Sequence, residues 1–232
     1  MNGFIDGLRE KYQAKACPEN ARQMKAYMRN QYDFFGLKAE KQRETNRQFL
    51  KEAGMPAIAD LPELIHKLWE QPEREMQFFG MLLLDKYKNK VDEDFIQIYE
   101  FMISTKSWWD TVDYIAATLV GAHFKRFPHQ IPVYTEKWME SGNLWLQRSA
   151  LLFQLKYRNS TDIKLMFSLI EQLSEEKDFF IRKAIGWVLR QYSKTDPETV
   201  IKFVESHTLS GLSRKEALKV ITRKELGKLG NL

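Results

Sequence analysis

The feature that most constrains this chain is an internal repeat. Aligning Tyr87, Tyr157 and Tyr192 gives spacings of 70 and 35 residues, so the unit is about 35 residues long. Apolar positions keep the register: Met76/Leu146/Ile181, Leu82/Leu152/Trp187 and Leu83/Phe153/Val188. The unit between the first two tyrosines starts at Trp108 and is more divergent. Each unit contains room for a second helix, at Asp92–Ser104, Pro132–Ser141, Thr161–Ser174 and Pro197–Ser206. Helix pairs at this period cannot bury their apolar faces alone and must stack on their neighbours. The pattern predicts an all-α chain, an α-solenoid of helical hairpins in a right-handed stack, curved with a concave groove. No alternating strand pattern interrupts it.

The remainder of the chain fits one repeat domain over residues 1–232: N-terminal helices over 1–54, repeats over 55–207 and a basic C-terminal helix over 208–232. The spacing predicts short helices over residues 3–15 and from Glu19 to Tyr32, with Cys17-Pro18 as the break. Gly36 closes that segment, and a basic helix runs from Lys38 to Ala53. Gly54-Met55-Pro56 breaks again before a helix over Leu61–Glu70 with Pro62 in its first turn. A last basic helix is expected over Ser213–Leu226, ahead of Gly227 and Gly230.

Composition narrows the chemistry. One cysteine, Cys17, excludes an intramolecular disulfide and a thiolate-ligated zinc or iron–sulfur site. The four histidines are dispersed, with no pair at i, i+4, so neither a metal nor another cofactor is expected. No apolar run approaches the roughly 18 residues of a membrane span, and Met1–Lys15 lacks the apolar core of a signal peptide. A cytoplasmic location is expected, and a self-capped solenoid is expected to be a monomer. Net charge is +5, with the excess at the two ends. Residues 1–52 carry 11 Lys+Arg against 7 Asp+Glu, and residues 208–232 carry 6 against 2. That balance is permissive for a polyanionic partner.

The stretch richest in candidate chemistry is Ser104–Asp113. Ser107 reads as an N-cap with Asp110 three residues on, in the capping-box position. Asp113 sits one turn further in, on the face of Trp109. An indole beside a carboxylate in a groove stabilises positive charge by cation–π and Coulomb attraction. On a repeat of 35, Asp113 lies one unit from Arg148, and Leu152 one unit from Trp187. Trp109, Asp113, Arg148 and Trp187 are therefore expected on one groove wall.

These residues resemble the AlkD-type DNA alkylation-repair glycosylases, which are built from HEAT-like repeats. The segments that carry the resemblance are Met24–Asn30, Thr105–Asp110 with Asp113, Trp145–Arg148, Phe153–Tyr157 and Phe179–Arg190. The resemblance implies a glycosylase that hydrolyses the N-glycosidic bond of N3- or N7-alkylated purines in duplex DNA, without flipping the base into a pocket as most glycosylases do. It implies Asp113 as the catalytic carboxylate and Trp109 and Trp187 as the indoles lining the groove. Arg148 is placed beside the lesion, as a phosphate contact, and Tyr27 as an aromatic that approaches the lesion strand. Arg43, Arg47, Lys156, Arg190 and Lys194 are further candidates for backbone contacts. The rival reading is a non-catalytic DNA-binding or scaffold protein on the same repeats, since fold alone does not give function.

Overall fold

The computed structural model describes the backbone of residues 2–229 and the side chains of residues 3–223. Helices account for the regular structure of these residues, joined by short connections. None of the described helices is long and apolar enough to cross a membrane. The chain divides into two compact units, one up to Ile98 and the other from Tyr99, with the division inside a helix.

The first unit opens with α1 (Asn2–Gln13), which buries Ile5, Leu8 and Tyr12 at helical spacing. They pack on α3 (Ala39–Ala53), where the Phe4 and Phe49 rings lie 4.8 Å apart and the Tyr12 hydroxyl donates to Asn46. Between them α2 (Pro18–Tyr27) has Cys17 as its N-cap residue and buries none of its own residues. It ends five residues before the predicted Tyr32. Arg29 and Asn30 take left-handed backbone, φ 53° and 59°, which no helix propagates. The connection from there to α3 folds inward instead, and Phe35, Gly36 and Leu37 are buried. Gly36 has φ +86°, and a Cβ on it would lie 2.2 Å from the Cys17 carbonyl oxygen, so only glycine fits.

A 3₁₀ turn (Ile58–Asp60) leads to α4 (Leu61–Glu70), which presents Leu61, Leu64, Ile65, Leu68 and Trp69 to α5 (Arg74–Tyr87). The N-terminus of α5 carries a fully buried acid. Glu75 accepts the backbone N–H groups of Phe35, Gly36 and Leu37 at 3.1, 2.9 and 3.1 Å, so it ties the inward loop to the helix. Arg74 is also fully buried, its guanidinium 3.9 Å from the centre of the Tyr32 ring.

The second unit begins within α6 (Phe95–Ser104). A continuous helical run follows: α7 (Trp109–Tyr114), a π-helical turn (Ile115–Val120) and α8 (Gly121–Arg126). Then come α9 (Gln130–Glu140), α10 (Leu144–Leu152), α11 (Ile163–Gln172), α12 (Phe179–Tyr192), α13 (Pro197–Ser206) and α14 (Gly211–Leu229). Side-chain caps set four of these starts. Asn143, Asp162, Asp178 and Asp196 accept backbone N–H groups from the first turns of α10 to α13. Helix α14 starts two residues before its predicted position and runs through Gly227; Gly230 lies outside the described residues.

The repeat tyrosines have a physical role in this stacking. The Tyr157 hydroxyl donates to the Gly121 carbonyl at 2.7 Å, 36 residues back, and the Tyr87 hydroxyl donates to the Pro56 carbonyl, 31 residues back. Each tethers its helix to the preceding repeat. Phe124 packs edge-on to Phe153 at 5.2 Å and lies 5.9 Å from Trp138, which places the core between the two helical layers of this unit.

Candidate active site

The site is assembled by α7, α10 and α12 and lies within the second unit. Helix α7 begins one residue later than the sequence predicts. Trp108 is its N-cap residue, in extended backbone at φ −158° and ψ 160°, and the Ser107 hydroxyl donates back to the Ile103 carbonyl at 2.6 Å. Residues 109 and 113 still stand one turn apart on one face. Immediately beyond Asp113 the π-helical turn widens the helix by one residue per turn, a local irregularity that is frequent at functional sites.

Trp109, Asp113 and Trp187 line one cleft of about 340 Å³, together with Asp110, Tyr114, Thr118 and Lys156. The repeat arithmetic is the reason. Helices one unit apart stack side by side, so residues about 35 apart become neighbours. Asp113 and Arg148 meet in this way as a two-point pair: Nε lies 2.7 Å from Oδ1 and Nη2 2.8 Å from Oδ2. The third guanidinium nitrogen donates to the Phe180 carbonyl. The aromatic rings of Trp108, Trp145 and Phe180 pack together beside this pair, with centroids 5.0–5.7 Å apart.

Arg148 therefore does not occupy the position expected of a phosphate contact. Its side chain is 5% exposed and its fork is spent on Asp113 and a backbone carbonyl. Its geometry is that of a residue that orients and charges the carboxylate. Burial pushes the Asp113 carboxyl above the usual carboxylate range, against the Arg148 hydrogen bonds and charge, which pull it down; the Asp110 charge adds to the rise. The carboxylate remains 17% exposed, so one edge faces the cleft.

The family model for DNA alkylation repair enzymes matches residues 8–221. The chain belongs to this family. Among solved structures, a predicted DNA alkylation repair enzyme from Enterococcus faecalis is similar at 31% identity and a TM-score of 0.81, covering 88% of this chain and 95% of that one. AlkD2 from Streptococcus mutans is similar at 18% identity and a TM-score of 0.57, covering 76% and 86%, a likeness of fold. No protein with a curated functional description matches. The all-α helical-repeat architecture read from the sequence is that of these relatives.

In this member of the DNA alkylation repair enzyme family the other candidate residues are scattered more widely. Lys156 follows α10 at the cleft, where its ammonium donates to Thr118 Oγ1 at 2.7 Å and lies 5.8 Å from the Tyr114 ring centre. Arg190 is not a free cation for a backbone contact, because it pairs with Glu216 of α14. Lys194 is exposed and donates to Gln191 at 2.7 Å. In the first unit Tyr27 ends α2 with 71% of its surface exposed, beside Met24, Met28, Phe34 and Phe78. Arg43 and Arg47 line a separate, wider cleft of about 880 Å³ with Lys51 and Lys86. Sequence reasoning missed Thr118, Tyr114 and the Phe180 carbonyl. Tyr114 directly follows Asp113 in the chain, Thr118 lies within the turn whose π geometry carries no side-chain signature, and a backbone acceptor has none at all.

Proposed function

We propose that the chain is an alkylpurine DNA glycosylase, hydrolysing the N-glycosidic bond of N3- and N7-alkylated purines such as 3-methyladenine and 7-methylguanine in duplex DNA. One observation carries the reading. A carboxylate is held by an arginine fork in a cleft it shares with two indoles. A cleft meant only for a polyanion gains nothing from a half-buried acid. A cleft meant for a cation at the sugar does.

Alkylation at N3 or N7 gives the purine a positive charge and makes it a good leaving group. No acid is needed to protonate it, so one carboxylate suffices where many glycoside hydrolases need two. As the C1′–N bond breaks, its electron pair leaves with the base and positive charge develops on the deoxyribose. Asp113 faces that oxocarbenium-like sugar and positions the water that attacks C1′. Trp109 and Trp187 pack on the sugar, where desolvated cation–π contacts are worth about 2 kcal/mol. Arg148 keeps Asp113 ionised against its burial and fixes its orientation. Excision proceeds without flipping the base into a pocket, as the family resemblance implies. The reaction ends at the abasic site, since no lysine is singled out as a Schiff-base nucleophile; Lys156 lines the cleft and donates to Thr118. Within the first unit, Tyr27 and the Arg43/Arg47 cleft are candidate DNA contacts in their own right.

The test is release of free base from methylated duplex DNA by the purified protein, beside Asp113→Asn. Preorganised charge of this kind supplies about 3–4 kcal/mol, so the variant is expected to lose ~10²–10³ in excision rate while still binding DNA. Equal rates for the two proteins would sink the assignment. Salt-sensitive binding with no release by either would favour a non-catalytic DNA-binding protein.

A further inference from the structure

Helix α14 packs along α12 more extensively than any other pair of the described helices contact each other. The approach depends on Gly186. A Cβ there would lie 2.6 Å from the Glu216 Cβ and 2.8 Å from the Ser213 carbonyl oxygen, so any larger residue would push α14 away. The Ser213 hydroxyl donates to the Arg182 carbonyl at 2.9 Å and fixes the same crossing. At its centre stands Glu216, whose side chain is only 11% exposed. It accepts Lys183 Nζ at 2.9 Å and pairs with Arg190 through its other oxygen.

Lys183 and Arg190 bracket Trp187. They stand four residues before it and three after it, on the adjoining stripe of α12. One acid on α14 thus grips α12 one turn on either side of the indole that lines the Asp113 cleft. A helix held at one point can still rotate about its axis. A helix held at two points a double turn apart, against a glycine contact, cannot. We infer that Glu216 is a positioning residue, which fixes the rotation of α12 and so the face that Trp187 presents to the cleft. A rotation that moves the indole edge by about 1 Å is enough to cost a large factor in rate at a site that works by orientation. The kinetic arm of this inference rests on the glycosylase reading; the spectroscopic arm below does not.

The experiment uses the full chain labelled with 5-fluorotryptophan, in Glu216→Gln, Glu216→Asp and Lys183→Met forms. The six tryptophans give separate fluorine signals, and Trp187→Phe identifies that of Trp187. Glu216→Gln is expected to move or broaden the Trp187 signal while the signals of the fully buried Trp69 and Trp138 stay in place as the fold control. Base release from methylated duplex is expected to fall about 10-fold in kcat with less than a 2-fold change in KM. Lys183→Met is expected to show a smaller change of the same kind, and Glu216→Asp to recover part of both. A Trp187 signal identical to wild type in Glu216→Gln overturns the inference, whatever the rate does. A signal that moves while affinity for undamaged duplex rises with steeper salt dependence, at unchanged kcat, also overturns it, since Glu216 would then act by withholding two cations from phosphate. If wild type itself releases no base, the glycosylase reading fails, and the fluorine spectra still decide the role of Glu216.

Discussion

Arg148→Ala separates the two roles an arginine beside this carboxylate can have. The wild-type fork makes two charge-assisted hydrogen bonds to Asp113, at 2.7 and 2.8 Å, from a side chain only 5% exposed. Truncation leaves Asp113 in place without its partner. Breaking a fully buried pair from one side costs about 3–5 kcal/mol. Asp113 is 17% exposed and can recover some water, so the loss of stability expected here is about 2–4 kcal/mol. That is a large part of the ordinary stability of a domain but leaves it folded. The chemical effect is larger in kind. Burial and the Asp110 charge would then act on the Asp113 carboxyl with nothing to oppose them, and its pKa would rise further. A protonated carboxyl cannot stabilise a sugar cation. Single-turnover release of methylated base at saturating protein and neutral pH is expected to fall roughly 10–100-fold, with part of the loss recovered as pH is raised. Arg148→Lys supplies the charge without the fork and is expected to fall between the two. If Arg148 held a phosphate instead, truncation would weaken binding of undamaged duplex, lower the salt slope by about 1 and spare the saturated rate. That pattern would refute the reasoning.

Four further outcomes follow from the structure. The wild-type rate on pre-methylated duplex is expected to rise with pH through the ionisation of Asp113, along an acid limb displaced above the usual carboxylate range, because burial raises that pKa. For stability the sign is opposite: a raised folded pKa favours the fold below the unfolded value and loses that favour as pH climbs through the folded one, so Asp113→Asn should flatten this pH dependence in thermal melts. Gly121→Ala would place a Cβ 2.6 Å from the Phe153 carbonyl oxygen, so a loss of about 1–3 kcal/mol and a lower Tm are expected, and an unchanged melt would show that the helices part freely. Single alanine substitutions of Arg43, Arg47, Lys51 or Lys86 should each reduce the slope of log K against log salt by about 0.9 for undamaged duplex, with the saturated excision rate unchanged.

The repeat made part of the site legible before any coordinates. A period of 35 residues says that Asp113 and Arg148 are neighbours, and they are. It does not say which way a guanidinium turns. The direction of Arg148 is set by the Phe180 carbonyl and by the aromatic rings packed around it, neither of which a spacing argument can see. Similarly, α2 ends at Tyr27 because Arg29 and Asn30 adopt left-handed backbone, although Arg29 is a good helix former; Asn30, which tolerates that conformation, is the available signal. Glu75 reads as one charge among Glu73-Arg74-Glu75, typical of a solvated helix start. Its burial follows from three loop N–H groups that arrive from some 40 residues away. Glu216 reads as an isolated acid in a basic tail. Its importance appears only once Gly186 brings the tail helix onto α12. What the sequence conceals in each case is a polar contact between elements distant in the chain, whose position no local pattern records.

An acid in a site for DNA raises an electrostatic difficulty, and the Asp113–Arg148 pair answers it. A lone carboxylate would repel every phosphate within a screening length of about 8 Å at physiological salt. Paired at two points, it presents to distant phosphates a near-neutral dipole, whose field decays faster than that of a charge. At contact distance the outcome differs. An ionised carboxylate has about four lone-pair sites, and Arg148 takes one on each oxygen. The other two are not taken by Arg148, and on the glycosylase reading they are enough for a sugar cation and the water that attacks it. On the glycosylase reading, the pair would attract the charge that exists only as the glycosidic bond breaks, while offering little opposition to the charges that bring the duplex to the site. Differential stabilisation of this kind lowers a barrier without deepening the ground state. The same reading accounts for an arginine that lies buried behind the carboxylate rather than in the cleft: exposed, that cation would compete for the sugar's place.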